Sequence, residues 1–222
     1  MAKSKQIALF SATILIFLLS ICFLYNKNIA LSSALMIFSI LAFVFVCFET
    51  KKYPPAMFVP IAVMSSLSVV GRLAFAPFPN IKPSLAIVII TGCAFGKMSG
   101  FMVGALTALV SNIFFGHGPW TLWQMLAFAI IGTLSAVVYK TNILKNRFIV
   151  AIYGFLCGVL YGIILNIYNV LFYIKPTLSA ILASFLASIY FDLAHSISTA
   201  IFLFVLFGKW IKKLSRTSKK FL

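Results

Sequence analysis

The sequence predicts an all-α membrane protein that crosses the bilayer several times. Of its 222 residues, 63% are hydrophobic and only 9% are charged, and the mean hydropathy is +1.14. A water-soluble domain of this length does not need so apolar a composition. Apolar runs recur along the whole chain with short polar breaks between them. Because a spanning helix needs about 20 apolar residues, the length divides into roughly eight spans.

Turn-forming residues mark the ends of these runs, and Pro, Gly and Asn dominate the breaks. The fourth run is too short to cross the bilayer alone, so we expect neighbouring helices to shield it. The first run resembles a signal peptide, but Ile21 is too bulky for a cleavage site and the run continues past Cys22, which favours a retained anchor. The predicted spans cover residues 6–25, 29–48, 56–73, 83–95, 99–115, 121–139, 148–168 and 178–207.

The basic residues indicate orientation in the membrane rather than nucleic-acid binding, although the formal net charge is +16. They lie between and beyond the apolar runs. If the amino terminus is inside, the outer segments hold only Lys27, Arg72, Lys82 and Lys175, which leaves fourteen of the eighteen Lys and Arg residues in cytoplasmic segments. Cytoplasmic loops are enriched in Lys and Arg, so we expect both termini in the cytoplasm.

A stiff polar loop follows the third span. Residues 72–83 combine Arg72, Asn80 and Lys82 with three prolines and two phenylalanines. Prolines fix the backbone and reduce the entropy lost when a ligand binds. The loop is therefore a candidate ligand contact; the alternative is an interfacial loop whose Phe side chains enter the headgroup region.

A second polar segment on the same side connects the fifth and sixth spans. Asn112, His117, Trp120 and Gln124 could offer hydrogen bonds and flat surfaces to one solute, and glycines allow a tight turn between them. An aromatic belt at the membrane interface is the alternative explanation for the Trp residues. The two amides beside them favour a binding site.

The last span carries an intramembrane acid, Asp192, with His195 three residues later on the same helix face. We expect these two side chains to hydrogen-bond, because an isolated Asp in a membrane is costly. A ligand wall, a proton relay and a structural clamp between helices are all open interpretations. Asn166 in the seventh span could reach the same cavity.

Small residues recur at spacings of about four in the third, fifth and seventh spans, a pattern that lets helices approach closely. Most of these contacts are expected inside the bundle, and one or two could dock a partner subunit. The sequence contains no nucleotide-binding loop, zinc motif or serine hydrolase motif, and the four cysteines sit singly in apolar stretches. We therefore expect no enzyme activity, cofactor or metal, and any energy for transport must come from other subunits.

Several segments together resemble the substrate-binding S components of energy-coupling factor (ECF) transporters, in the branch that includes cobalamin-type S components. The resemblance covers about residue 56 to the carboxyl terminus. It implies a six-helix membrane bundle at 56–222 that ends in a basic cytoplasmic tail, with residues 1–55 forming two extra transmembrane helices. The segments that carry it are 71–83 (GRLAFAPFPNIKP), Gly92, Phe95-Gly96, 104–112 (GALTALVSN), 116–121 (GHGPWT) and 191–195 (FDLAH).

The resemblance also implies a function and partners. An S component in a bacterial cell membrane captures a vitamin outside, here cobalamin or a related corrinoid, and docks to a transmembrane coupling subunit with two cytosolic ATPases. The family's Ala-x-x-x-Ala coupling motif maps onto Ala62 and Ser66. The rival interpretations are an S component for another vitamin or metabolite, an ion-coupled carrier, and a membrane scaffold or enzyme. The predicted substrate site is an outward-facing cavity walled by Arg72, Asn80, Lys82, Asn112, His117, Trp120, Gln124, Asn166, Asp192 and His195.

Overall fold

The predicted all-α membrane architecture is confirmed. The computed structural model describes residues 3–25, 28–50, 55–174 and 177–221. This part of the chain contains eight α-helices and no strand, and a 3₁₀ turn at Pro55–Met57 leads into the third helix. The helices are α1 (Lys3–Tyr25), α2 (Ile29–Thr50), α3 (Phe58–Ala74), α4 (Ser84–Phe95), α5 (Lys97–Phe115), α6 (Trp120–Lys140), α7 (Arg147–Tyr173) and α8 (Leu178–Phe221).

Two predicted helix ends were wrong. Helix α7 continues to Tyr173, five residues past the predicted end at 168, and α8 continues through the basic tail to Phe221 instead of stopping at 207. Gly208 does not end α8, because one glycine in a helix interior costs only about 1 kcal/mol and good helix formers follow it. Of the predicted breaks at 26–28, 54–55 and 175–176, residues 26–27, 54 and 175–176 lie outside the described residues.

Helix α4 lies at the centre of the bundle. Seven of the described helices are long and apolar enough to cross a membrane, whereas α4 has only 12 residues. Every α4 residue except Ala94 is buried, and the helix packs against α3, α5, α6 and α8. A helix that is apolar on all sides is stable when it is surrounded by protein. The expected shielding of the short fourth span is therefore confirmed.

Glycines set the close approach of two helix pairs. A methyl group added at Gly100 on α5 would lie 2.6 Å from the carbonyl carbon of Gly132 on α6, and one added at Gly158 on α7 would lie 2.6 Å from the Ser196 hydroxyl on α8. Such small residues permit backbone contact between helices. The small-residue patterns of the fifth and seventh spans thus serve internal packing, as expected.

The two amino-terminal helices form a hairpin beside this bundle. The rings of Phe10 and Phe43 lie 5.5 Å apart between α1 and α2, and the Ser32 hydroxyl donates a 2.7 Å hydrogen bond to the Ser20 carbonyl. Helix α2 then joins the main core through buried residues such as Leu41. The hairpin is consequently attached to the bundle through α2.

Candidate functional site

Arg72 is buried at the end of the bundle where α3 and α5 finish and α4 and α6 begin, referred to below as the Arg72 end. Its side chain is only 7% exposed. Its Nη1 donates to the Ser111 hydroxyl and, at 3.1 Å, to the Asn112 side-chain oxygen. The guanidinium carbon lies 5.1 Å from the centre of the Phe115 ring and 5.9 Å from that of Phe128. Side chains from α5 and α6 therefore hold a cation that belongs to α3.

Asn112 connects Arg72 to α6. While its oxygen accepts from Arg72, its Nδ2 donates to the Thr121 hydroxyl at 3.0 Å and to the Gln124 side-chain oxygen at 2.8 Å. Asn112 is 1% exposed. A buried amide needs such partners, because an unmatched polar group in an apolar environment is costly. Arg72, Asn112 and Gln124 were predicted to belong to one site, and the structure brings them together.

The loop at residues 75–83 is fixed on α8 beside this cluster. The Lys82 backbone N–H donates to the Ser198 hydroxyl at 3.0 Å, and the His195 ring contacts the Asn80 backbone carbonyl through Nδ1 at 3.3 Å. Asn80 adopts a φ of 58°, a left-handed conformation that Asn tolerates better than most residues. The loop thereby brings Asn80, Lys82 and His195 together at the Arg72 end.

Lys82 shares an aromatic surface with Arg72. Its Nζ lies 4.6 Å from the centre of the Phe115 ring, which Arg72 also contacts. Burial, followed by the charge of Arg72, lowers the pKa of the Lys82 amine below its ordinary value. Two cations thus lie beside one ring at the same end of the bundle.

Asp192 occupies a separate position between α7 and α8. Its Oδ2 accepts hydrogen bonds from the Asn166 amide at 2.9 Å and from the Ser188 hydroxyl at 2.7 Å. Gly162 makes room for the carboxylate, since a methyl group there would lie 2.6 Å from the Asp192 Cγ. This geometry suits the clamp interpretation, although the ligand-wall interpretation stays open.

The predicted hydrogen bond between Asp192 and His195 was wrong. Asp192 is directed toward α7, whereas the His195 ring contacts the Asn80 carbonyl and lies 4.9 Å from the ring of Tyr161. Residues three apart on a helix are offset by about 60° around the axis, which is enough for each to find a different neighbour. Asn166 and Asp192 therefore form a group of their own within the predicted site.

His117 and Trp120 lie at the exposed rim of the Arg72 end. The His117 Nδ1 is 3.5 Å from the Thr121 hydroxyl, and Trp120 begins α6 with 36% of its surface exposed. Both residues are accessible to a molecule that approaches this end. Their roles in binding remain predictions.

The sequence-based prediction of the site missed several residues that the structure places there. Ser111, Thr121 and Ser198 are small hydroxyl residues within apolar helices, and each becomes informative only when its partner is known. Tyr161 carried a weak signal, because a tyrosine in mid-span needs a polar partner for its hydroxyl. Trp123 is buried and its Nε1 has no partner among the described residues, which is also the state of the His195 Nε2.

A groove between α3 and α5 borders the predicted docking residues. It has a volume of 270 Å³ and is lined by Ser65, Ser66, Val69, Val70 and Leu73 from α3 and by Val110 and Phe114 from α5. Ala62 and Ser66 are both exposed on this side of α3. The α3 surface is therefore open to lipid or to another membrane protein.

The fold and the buried polar cluster define a multi-pass helical membrane protein with polar side chains gathered at one end of an apolar bundle. The family model for the substrate-specific component of ECF transporters matches residues 56–216. The chain belongs to this family and is the substrate-specific subunit of a transporter; such subunits are not enzymes. The match begins after α2. No solved structure matches the chain.

Proposed function

We propose that this protein captures a vitamin from outside a bacterial cell at the Arg72 end of its bundle and delivers it through an ATP-driven ECF coupling module. One observation carries this proposal: Arg72, Asn112 and Gln124, from three helices, meet at a single end of an otherwise apolar bundle. Polar side chains within a membrane are expensive, and they often mark a substrate site.

The charge distribution supports an outward-facing Arg72 end. Lys140, Lys145 and Arg147 lie at the opposite end of the bundle, and the α8 extension there adds Lys209, Lys212, Lys213 and Arg216. Basic residues favour the cytoplasmic side. The substrate would then reach Arg72 from outside, and both termini would be cytoplasmic.

The partners follow from what the chain contains. The sequence has no nucleotide-binding loop, so the energy for uptake would come from two ATPase subunits. The exposed small residues Ala62 and Ser66 would form the close contact with the transmembrane coupling subunit, because small side chains let helices approach.

Cobalamin is the first ligand to test. It is rich in amide groups, and the Arg72 end offers the half-buried side-chain amide of Gln124 together with the exposed Trp120 ring. The main alternative is a different vitamin or small metabolite on the same scaffold. A proton-coupled carrier is less well supported, since Asp192 and Glu49 are the only acids in the sequence and the Asp192 carboxylate is held by Asn166 and Ser188.

Uptake into proteoliposomes tests this function. Vesicles that contain the protein together with an ECF coupling module, with ATP on the module's side, should accumulate cyanocobalamin. Vesicles that lack either the protein or ATP are the controls. Uptake that a protonophore abolishes while ATP is retained would identify an ion-coupled carrier instead. ATP-driven uptake of another vitamin would retain the ECF function and exclude cobalamin.

A further inference from the structure

We propose that Arg72 and Lys82 form an anion site, which binds a carboxylate or phosphate group of the transported solute. This inference rests on the proposed function and names the chemical class of its substrate. Such a site requires a positive charge that no acidic side chain of the protein balances. It also requires hydrogen-bond donors that are free to bind a ligand.

The charge of Arg72 is not neutralised within the described part of the chain. The partners of its Nη1 are a hydroxyl and a neutral amide, and no acid lies within ion-pair distance. Asp192 is held by Asn166 and Ser188, and Glu49 lies near the end of α2 on the opposite side of the bundle. Burying an unpaired charge is unfavourable. A bound anion would offset that cost.

Arg72 also retains free donors. A guanidinium has N–H groups at Nε, Nη1 and Nη2, arranged in a planar fork that fits carboxylate and phosphate oxygens. The hydrogen bonds to Ser111 and Asn112 both come from Nη1. They leave Nε and Nη2 without a partner among the described residues, and they fix the plane of the fork before a ligand arrives.

Lys82 supplies the second charge beside the same ring, Phe115. Its Nζ lies 4.6 Å from the centre of that ring, and the Arg72 guanidinium carbon lies 5.1 Å from it. Burial, and after it repulsion by the charge of Arg72, lowers the pKa of the Lys82 amine. An anion that contacts both side chains would interact favourably with each charge.

His195 gives independent support for solute binding at this end of the bundle. The ring is 7% exposed and contacts the Asn80 carbonyl through Nδ1, which assigns the donor role to that nitrogen. Its Nε2 is buried and has no partner among the described residues. In this tautomer Nε2 is an acceptor, so it suits a hydroxyl or N–H group of the same solute.

The anion could in principle come from a lipid headgroup instead of a solute. The 7% exposure of Arg72 argues for a solute, because a headgroup tethered to its acyl chains reaches a buried side chain less readily than a free molecule does. An experiment can distinguish the two sources, because occupancy by a lipid headgroup depends on the lipid composition of the bilayer and occupancy by a solute does not.

Matched ligand pairs give the test. The purified full-length protein, in nanodiscs made only of phosphatidylcholine, is titrated with cyanocobalamin, which carries a phosphodiester, and with pantothenate, biotin and nicotinate beside pantothenol, biotinamide and nicotinamide. Any compound that co-purifies from cells is identified by mass spectrometry. We expect the bound compound to carry a carboxylate or phosphate, and an uncharged counterpart to bind at least about tenfold more weakly.

Variants connect that preference to the two cations. Arg72→Gln and Lys82→Gln should each weaken binding of the identified anion by about tenfold or more, while Arg72→Lys should lose less. Lys97→Gln and Lys140→Gln, which remove exposed charges at the opposite end, should leave affinity unchanged. Lys82 is half-buried in a loop, so Lys82→Gln keeps the test valid if Arg72→Gln fails to fold.

Three results would overturn the anion site. One is a bound solute without an anionic group; another is full affinity for the anion in folded Lys82→Gln and Arg72→Gln proteins. The third is occupancy that requires phosphatidylglycerol in the nanodisc, which would identify a lipid headgroup. A neutral solute that is still taken up with ATP would reject the anion site and retain the proposed function. Absence of any bound compound together with absence of ATP-driven uptake would reject both.

Discussion

Asn112 links three helices at the Arg72 end. It accepts from Arg72 on α3 and donates to Thr121 and Gln124 on α6, while its own backbone belongs to α5. Because the residue is almost fully buried, none of these contacts can be replaced by bulk water. The neutral amide of Asn112 does not balance the charge of Arg72. A substitution at this position therefore tests whether an anionic ligand needs that unbalanced charge.

The substitution Asn112→Asp should separate stability from anion binding. A carboxylate in place of the amide would form an ion pair with Arg72. It would neutralise the charge that an anionic ligand needs. We expect the protein to fold, and its affinity for an anionic ligand to fall by at least about tenfold. Titration with the identified ligand, beside the melting temperature, measures both properties. Asn169→Asp, in the groove between α7 and α8, is the control; equal losses in both variants would contradict the role of Asn112.

The lowered pKa of Lys82 predicts a pH dependence of binding. An anion stabilises the protonated amine, so the pKa is higher in the complex than in the free protein. Affinity is then full below the lowered pKa and decreases as the pH rises through it. The other titratable neighbour, His195, is removed in a His195→Gln background.

Binding curves measured from neutral to alkaline pH should show this decrease in the protein with Lys82 and not in Lys82→Arg, which keeps its charge. A decrease of the same size in both proteins would assign the titration to another group or to the ligand.

The sequence predicted the residues of the Arg72 end better than their contacts. Arg72, Asn112 and Gln124 interrupt apolar runs near helix ends, and alternating helix directions bring those ends together. The partners of Asp192 and His195 were not predictable in this way. Whether residues i and i+3 hydrogen-bond to each other depends on the partners available on neighbouring helices and loops. Here Gly162 leaves room for the Asp192 carboxylate beside α7, and the Asn80 carbonyl contacts the His195 ring.

At the scale of the element, α3 has two different sides. Met64, Ser68 and Arg72 are buried toward the bundle, whereas Ala62 and Ser66 are exposed. Small exposed residues on a transmembrane helix leave a shallow surface on which another helix can lie closely. The exposed side of α3 is therefore where a bulky side chain should interfere with a partner and not with the substrate.

Ala62→Trp or Ser66→Trp should weaken docking to the coupling subunit and leave substrate affinity unchanged. The indole would hold the partner helix away, while the Arg72 cluster is on the other side of α3. Pull-down with the coupling subunit measures docking, and ligand titration of the isolated protein measures binding. Leu134→Trp, at an exposed position on α6, is the control for added bulk. Docking that survives in both α3 variants would move the interface elsewhere.

The elements also show which structural features a sequence conveys. Helix α4 was predicted as a short, shielded span because its run of apolar residues is too short to cross the bilayer and has no polar side. The length of α8 was underestimated, because the change from apolar to basic residues at 207–209 marks the membrane surface and not the end of the helix. The position where the residues change from apolar to basic therefore need not be the position where the helix ends.

At the scale of the whole molecule, orientation depends on the unequal distribution of charge between the two ends of the bundle. The eight described helices alternate in direction, so the start of α1 and the end of α8 lie on the side opposite the Arg72 end. The many basic residues on that side favour the cytoplasm. Among the described residues, Arg72 and Lys82 are the exceptions, and the proposed anion site would explain why cations lie at an end that we propose to face outward.

Cysteine labelling in intact cells tests this orientation. Phe78 lies in the loop at the Arg72 end and is 54% exposed, and Ile143 lies in the turn between α6 and α7 at the other end and is 56% exposed. With Cys22, Cys47, Cys93 and Cys157 replaced by Ser or Ala, a membrane-impermeant maleimide should label Phe78→Cys in intact cells. It should label Ile143→Cys only after permeabilisation, because the reagent cannot otherwise reach the cytoplasm. Both variants should be labelled equally in permeabilised cells, which controls for their similar exposure. Labelling of Ile143→Cys alone in intact cells would place the Arg72 end in the cytoplasm, and capture of a solute from outside at Arg72 would then be impossible.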